Sequence, residues 1–305
     1  MGREFESRRM VWVPLLLYVL TWMTTSAVGI LMVLVPPPAG TPWDQALWAA
    51  LPGALMFSVP LMTALTAHEL GHLVTYRMHG MPGSLPLFLP MPLPPFGTLG
   101  AVIVMRGRVP SRSALFDIGA SGPFAGLLLA VPFTIWGLTL SEVDPTAGAA
   151  DSTFGLGSSL LFEFLTRVTL GELPDDAVLN LHPMAFAGWS VLFVTGLNLL
   201  PLGQLDGGHV IYSLIGPRMR RAYRWLIAGF VGLTLFYAAG WFIIALILIR
   251  FGRSHPPTLN DRSPLEGPRR WLALATIATF LVTFVPRPFS SWRGLLATLW
   301  SSWPW

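Results

Sequence analysis

The stretch LMTALTAHELGHLVTYRM, residues Leu61–Met78, ends an apolar run that begins at Ala46. That run is long enough to cross a bilayer as a helix, which takes about 20 mostly apolar residues. Yet it carries two histidines and a glutamate within five positions. His68 and His72 are four apart, so on a helix both imidazoles project from one face, one turn apart. Two ligands of a metal site are thereby preset. Glu69 lies about 100° round from His68, so its carboxylate can reach a water on the metal without ligating the metal itself. Five residues with two free positions are only moderately specific. The setting sharpens the pattern, because an acid in a spanning helix costs about 2.5–3.5 kcal/mol on insertion scales and is rarely kept without a use. The competing reading is a solvated patch at the helix end beside Arg77.

Composition agrees with a membrane setting. Of 305 residues, 53% are hydrophobic and 11% charged, well outside the usual soluble mix. With no cysteine, the chain has no disulfide, no thiolate metal site and no thiol nucleophile. All 19 basic residues are arginine, a bias that fits a GC-rich genome better than a mechanism. The pI near 10 records arginines in loops on one side of a membrane, and a nucleic-acid partner is not expected.

Six apolar windows emerge: 11–35, 46–76, 118–140, 184 to about 215, 221–251 and 271–285. The first follows Arg3, Arg8 and Arg9, is too long for a signal-peptide core, and reads as a retained anchor. The fifth is about 30 residues long, and YAAGW at 237–241 can turn the chain between two short helices. Arginine bias favours that split. With a cytoplasmic N-terminus, Arg77, Arg106, Arg108 and Arg112 fall inside. The acidic 141–182 loop falls outside, and Arg218–Arg224 and Arg250–Arg270 return inside. The expected fold is therefore an all-α polytopic membrane protein of about seven transmembrane helices, residues 1–286. A Trp-rich interfacial tail, 287–305, completes the chain. The loops are too short for a separate soluble core, and SHPPTLNDRSPLEGPRR at 254–270 reads as a Pro-rich linker. A bacterial plasma membrane is the expected location.

One apolar segment resists the helical reading. PGSLPLFLPMPLPP, 82–95, carries a proline every few residues, and FGTLGAVIVMRGRV, 96–109, follows with glycines and a β-branched run. Irregular backbone at membrane depth is tolerated only against protein or a watery cavity. A re-entrant β-hairpin-like loop over 82–106 is expected, with an edge able to pair with an extended segment. An ordinary loop on the bilayer surface is the alternative.

A catalytic metal site needs a third protein ligand. The other apolar helix bearing an acid reads VTGLNLLPLGQLDGGHVIYSL, and Asp206 is the sole carboxylate between Asp176 and Asp261. In the charge-derived topology, His68, His72 and Asp206 all lie near the cytoplasmic ends of out-to-in helices, at similar depth. Pro201 and Gly203 should break the helix just before Asp206 and free backbone groups beside a polar site.

The sum of these patterns resembles the site-2 protease family of intramembrane zinc metalloproteases. HELGH at 68–72, Asn198 to Pro201, and Leu205 to Gly207 carry the resemblance. PPFGTLGAVI and ALFDIGASGPFAG are also similar, particularly to the branch with chloroplast homologues. The resemblance implies that His68, His72 and Asp206 bind Zn2+, that Glu69 is the general base and acid, and that Asn198 holds substrate or the oxyanion. It further implies membrane-anchored protein substrates cut within their transmembrane segments, either to release a regulator or to clear signal-peptide remnants, with the lipid bilayer as surroundings.

Two rivals and several lone residues complete the reading. A metal-ion or proton transporter would also place His, Glu and Asp in the membrane, but would spread them along a path. GASG at 119–122 matches the serine motif of rhomboid proteases, yet Ser121 has no histidine with a supporting pattern. The small residues 119, 121, 122, 125 and 126 are better read as a close helix-packing face. Asp117 reads as an N-cap. His209 could support the site from beside it, His79 and His182 flank helices, and His255 reads as structural.

Overall fold

The computed structural model describes residues 2–34, 41–104, 107–144, 155–174, 177–237, 241–242, 246 and 256–289. It is mainly helical, in chain order α1 (Gly2–Val33), α2 (Trp43–Met78), β1 (Leu87–Pro90), β2 (Thr98–Val102), α3 (Arg112–Thr139), β3 (Glu142–Asp144), α4 (Leu160–Leu170), β4 (Val178–Asn180), α5 (Pro183–Asn198), α6 (Asp206–Ile215), a short 3-10 turn (Gly216–Arg218), α7 (Met219–Phe236) and α8 (Pro268–Thr283). Among the described residues three helices are long and apolar enough to cross a membrane: Val11–Val33, Trp43–Met78 and Arg112–Thr139. The fourth apolar window is broken where Pro201 and Gly203 predict a break, into α5 and α6. α7 ends at Phe236, at the edge of the YAAGW stretch, while most of 238–255 and all of the tail 290–305 lie outside the described residues.

The chain divides into two compact units. The first comprises 1–107, 124–146 and 165–194. Here α1 and α2 run antiparallel, and small residues let their backbones approach. A Cβ on Gly29 would come within 2.9 Å of Ala54 Cα, and one on Gly53 within 3.0 Å of Val33. Polar pairs cross the same seam, Ser26 Oγ to Ser58 Oγ at 3.1 Å and Tyr18 Oη to Thr66 Oγ1 at 3.3 Å.

The proline-rich segment forms an antiparallel hairpin, β1 with β2, pairing Leu87 with Val102 and Phe88 with Ala101 before an irregularity ahead of Pro90. The hairpin lies on α1. The Phe88 ring sits 5.0 Å from that of Tyr18, and the Thr24 hydroxyl donates to the Gly97 carbonyl at 2.7 Å. Gly97 has φ 77°, and a Cβ there would meet Thr25 Cα at 2.6 Å, so both the turn and the close approach require glycine. On the other side the Phe96 ring lies 5.9–6.5 Å from Phe186, Trp189 and Phe193, an aromatic column along α5. α5 packs on α3 through Gly188 against Thr134 and Gly137 against Ala185. A two-stranded ribbon, β3 with β4, ties the end of α3 to the approach to α5.

The second unit comprises 108–123, 147–164 and 195–305. Its core sets Phe116 and Ala120 of α3 against Val210 of α6, Leu265 and Ala273 of α8. A second cluster, Leu200, Leu202 and Tyr223, packs the turn before α6 against α7 and α8. The ends are tied by charge. Arg112 is buried and donates to the Ser213 and Leu214 carbonyls at 2.8 and 2.5 Å, satisfying orphan acceptors in the last turn of α6. Arg269 grips Asp117 bidentately at 2.8 and 2.9 Å; Asp117 lies five residues inside α3, so it anchors α8 and is not the N-cap the sequence suggested.

Candidate metal centre

α2 is an unbroken 36-residue helix, and within it one turn is chemically unlike the rest. His68, Glu69 and His72 are all buried, with relative exposures of 4%, 7% and 7%. The i, i+4 spacing does what the sequence implies: the two imidazoles face each other, with Nε2 to Nε2 at 3.1 Å. Tetrahedral zinc with Zn–N bonds of about 2.0–2.1 Å places ligand nitrogens about 3.3 Å apart, so this pair fits such an ion. Gly126 of α3 makes room for the first histidine, since a Cβ there would lie 3.2 Å from His68 Cβ and 3.4 Å from His68 Nδ1.

Asp206 is held differently. After Asn198 the chain leaves α5 through tight turns, with Leu200 N bonded to Leu197 O, Leu202 N to Leu200 O, and Leu205 N to Leu202 O. Gly203 adopts φ 55° within them. Asp206 then opens α6, in the first turn where a carboxylate is favoured by the helix dipole. Two glycines follow it for a steric reason. Any Cβ on Gly207 would run into the Leu199 carbonyl oxygen, and one on Gly208 into that of Gly203. Gly119 of α3 lies against the same turn, 2.7 Å from His209 Cβ and 2.9 Å from the Asp206 carbonyl when a Cβ is added.

One ligand atom from each of His68, His72 and Asp206 lies within 4.8 Å of the others, a group that could hold a metal ion. His209 is buried at 5% in α6 but is outside that group. Asn198 is the last residue of α5. Ser121 donates its hydroxyl to the Ile118 carbonyl at 2.9 Å, a local helix bond. The glycines around it pack, Gly119 on α6 and Gly126 on α2, as a small-residue face should. His79 caps the end of α2, and His182 precedes α5 with its amide bonded to Ser141 Oγ at 2.9 Å. Burial lowers the His182 pKa below its ordinary value. His255 lies outside the described residues.

Sequence reasoning did not find the network that fixes the far end of α6. Tyr212 Oη donates to Asp261 Oδ2 at 2.7 Å, and Thr258 gives its hydroxyl and amide to Oδ1 at 2.6 and 3.2 Å. The only advance signal is Asp261 itself, an acid in an arginine-rich linker. Gly126 was legible as a packing residue, but not that its neighbour is His68.

The chain belongs to peptidase family M50, whose model matches residues 56–236 and so covers both HELGH and Asp206. It is 30% identical over 263 residues to the probable zinc metalloprotease EGY1, chloroplastic, of Oryza sativa subsp. japonica, covering 82% of this chain and 44% of that protein. To the Arabidopsis thaliana protein of the same name it is 31% identical, covering 83% and 46%. To the probable zinc metalloprotease EGY2, chloroplastic, of Arabidopsis thaliana it is 26% identical, covering 79% and 42%. The chain thus spans less than half the length of these relatives. No solved structure matches it.

Proposed function

We propose that this chain is an intramembrane zinc metalloprotease that hydrolyses peptide bonds within transmembrane segments of membrane-anchored proteins. The observation that carries the reading is the pair of buried imidazoles with Nε2 atoms 3.1 Å apart, one residue from a buried glutamate. His68, His72 and Asp206 would hold zinc, whose positive charge lowers the pKa of water and polarises a carbonyl. Glu69 takes the proton from the attacking water and returns it to the leaving amine. Asn198, at the end of α5, orients substrate or steadies the oxyanion. The likeness to proteins named as zinc metalloproteases supports the metal and the chemistry.

A helical substrate shields its own peptide bonds, so it must unwind before attack. The β1–β2 hairpin, entering the membrane from one side, would hold the unwound stretch extended. Around this core we read seven spans within residues 1–286, a cytoplasmic N-terminus and an interfacial tail at 287–305. The transporter reading is not favoured, because the metal-binding side chains gather in one group.

The test pairs metal content with cleavage. Purified wild type and Glu69→Gln should both hold one zinc per chain. The variant should cleave a reconstituted transmembrane substrate about 10²–10⁴-fold more slowly, the worth of a positioned general base. Full zinc occupancy with undiminished cleavage in the variant would sink the assignment.

A further inference from the structure

The 11-residue helix α4, LLFEFLTRVTL, was not singled out by the sequence, and its faces divide three ways. At about 100° per residue, Phe162, Leu165 and Thr166 share one arc, and all three are buried at 4–9% exposure. Leu160, Phe164 and Val168 share a second arc about 80° wide, and they are 61–66% exposed. Glu163 and Arg167, also exposed, form a third arc beside it, spaced for an i, i+4 pair. A helix in water with one partner needs only two faces. Three faces, buried, apolar and charged, are what a helix needs where protein, lipid and water meet.

The start of α4, which lies in the second unit, says which apolar phase is at hand. Leu156 bridges Phe289 and the Gly157 amide donates to the Pro288 carbonyl at 2.9 Å, so the chain entering α4 is tied just beyond the end of α8. α8 exposes Trp271, Leu272, Leu274 and Leu281, large apolar side chains of the kind that suit a lipid border. Where α8 ends, α4 begins. At about 1.5 Å per residue α4 is about 16 Å long, too short to cross a hydrocarbon core of about 30 Å.

We propose that α4 is an interfacial helix that docks Leu160, Phe164 and Val168 into the headgroup–acyl boundary of the bilayer the protein spans. Glu163 and Arg167 face water. This rests on the reading of the chain as a polytopic membrane protein. The helix would act as a depth stop for the loop between α3 and α5, fixing the level at which a membrane-embedded substrate meets that side of the enzyme.

The chain has no cysteine, so each introduced one is unique. Single variants Leu160→Cys, Glu163→Cys, Phe164→Cys, Arg167→Cys and Val168→Cys, full-length and reconstituted in phosphatidylcholine vesicles, would carry a nitroxide label. Spin relaxation by oxygen, which partitions into lipid, is compared with that by a water-soluble nickel chelate. Leu128→Cys, at a residue 74% exposed in the middle of α3, serves as the lipid reference. Oxygen should dominate at 160, 164 and 168, and the chelate at 163 and 167. Chelate access at all five positions, with Leu128→Cys in lipid, would overturn the interfacial helix alone. Labels at 160, 164 and 168 that are immobilised and reached by neither agent would overturn it in favour of a protein partner. A water-exposed label at 128 would overturn the membrane reading and the helix together.

Discussion

The histidine turn of α2 and the aspartate turn that opens α6 position their proposed metal ligands by opposite means. The first is an unbroken helix, where spacing alone aims two imidazoles at one point. The second is a chain forced out of a helix and back into one, held by turns, two crowded glycines and a polar network at the far end. A regular helix positions groups by repetition, so its substitutions act locally. A broken one positions them by many separate contacts, so damage anywhere along it reaches the ligand.

Removing a ligand should make the two regions look alike. His72→Ala and Asp206→Ala should each lose bound zinc and lower cleavage by at least about 10³-fold, since either leaves too few donors for a closed coordination sphere. Metal analysis alongside a cleavage assay checks this. A fully metallated, active Asp206→Ala protein would remove the aspartate from the site and leave the histidine turn without its counterpart.

Changing a glycine should make them look different. Gly207→Ala puts a methyl into the Leu199 carbonyl, backbone against backbone, with nothing flexible to yield. We expect destabilisation of about 3 kcal/mol or more, seen as a lower thermal midpoint together with lost zinc. Gly126→Ala meets the side chain of His68 at 3.2–3.4 Å, a contact relieved by a shift of a few tenths of an ångström. Zinc affinity should fall about tenfold while the thermal midpoint barely moves. Equal loss of stability in both variants would erase the distinction between a repeating and an assembled half-site.

The same distinction explains what the sequence revealed. HELGH was readable because helical periodicity converts spacing into direction, and the break before Asp206 because proline and glycine punctuate locally. A β-hairpin in the proline-rich segment was also legible from its prolines and β-branched run, but its register, Leu87–Pro90 with Thr98–Val102, was not. The partners were not legible. That Gly126 faces His68, that Phe96 joins the aromatic column of α5, and that Arg112 reaches the end of α6 are contacts across long separations. Local propensity and hydropathy carry no information about them. α4 went unread for a related reason, being too short to register as a span and lying in a loop marked by its acidity.

The smallest expected effect lies farthest from the metal, and it tests whether the end of α6 is held by charge. Burial alone would raise the Asp261 pKa. Hydrogen bonds from the hydroxyls of Thr258 and Tyr212 and the Thr258 amide, with the positive charge of Arg112, outweigh burial and hold it below the ordinary 3.8. A depressed carboxyl pKa contributes stability that is fully present above the unfolded value and is lost as pH falls through the folded one. Asp261→Asn keeps an oxygen acceptor but loses the charge, so it should cost about 1 kcal/mol at pH 6. The gap in thermal midpoint between wild type and variant should stay constant down to about pH 4 and close below it. A gap that persists unchanged to pH 3 would mean the ionised carboxylate contributes nothing, and that α6 is held by packing and the Arg112 hydrogen bonds alone. The aspartate half-site would then resemble the histidine half-site more closely, each fixed by shape with no titratable brace behind it.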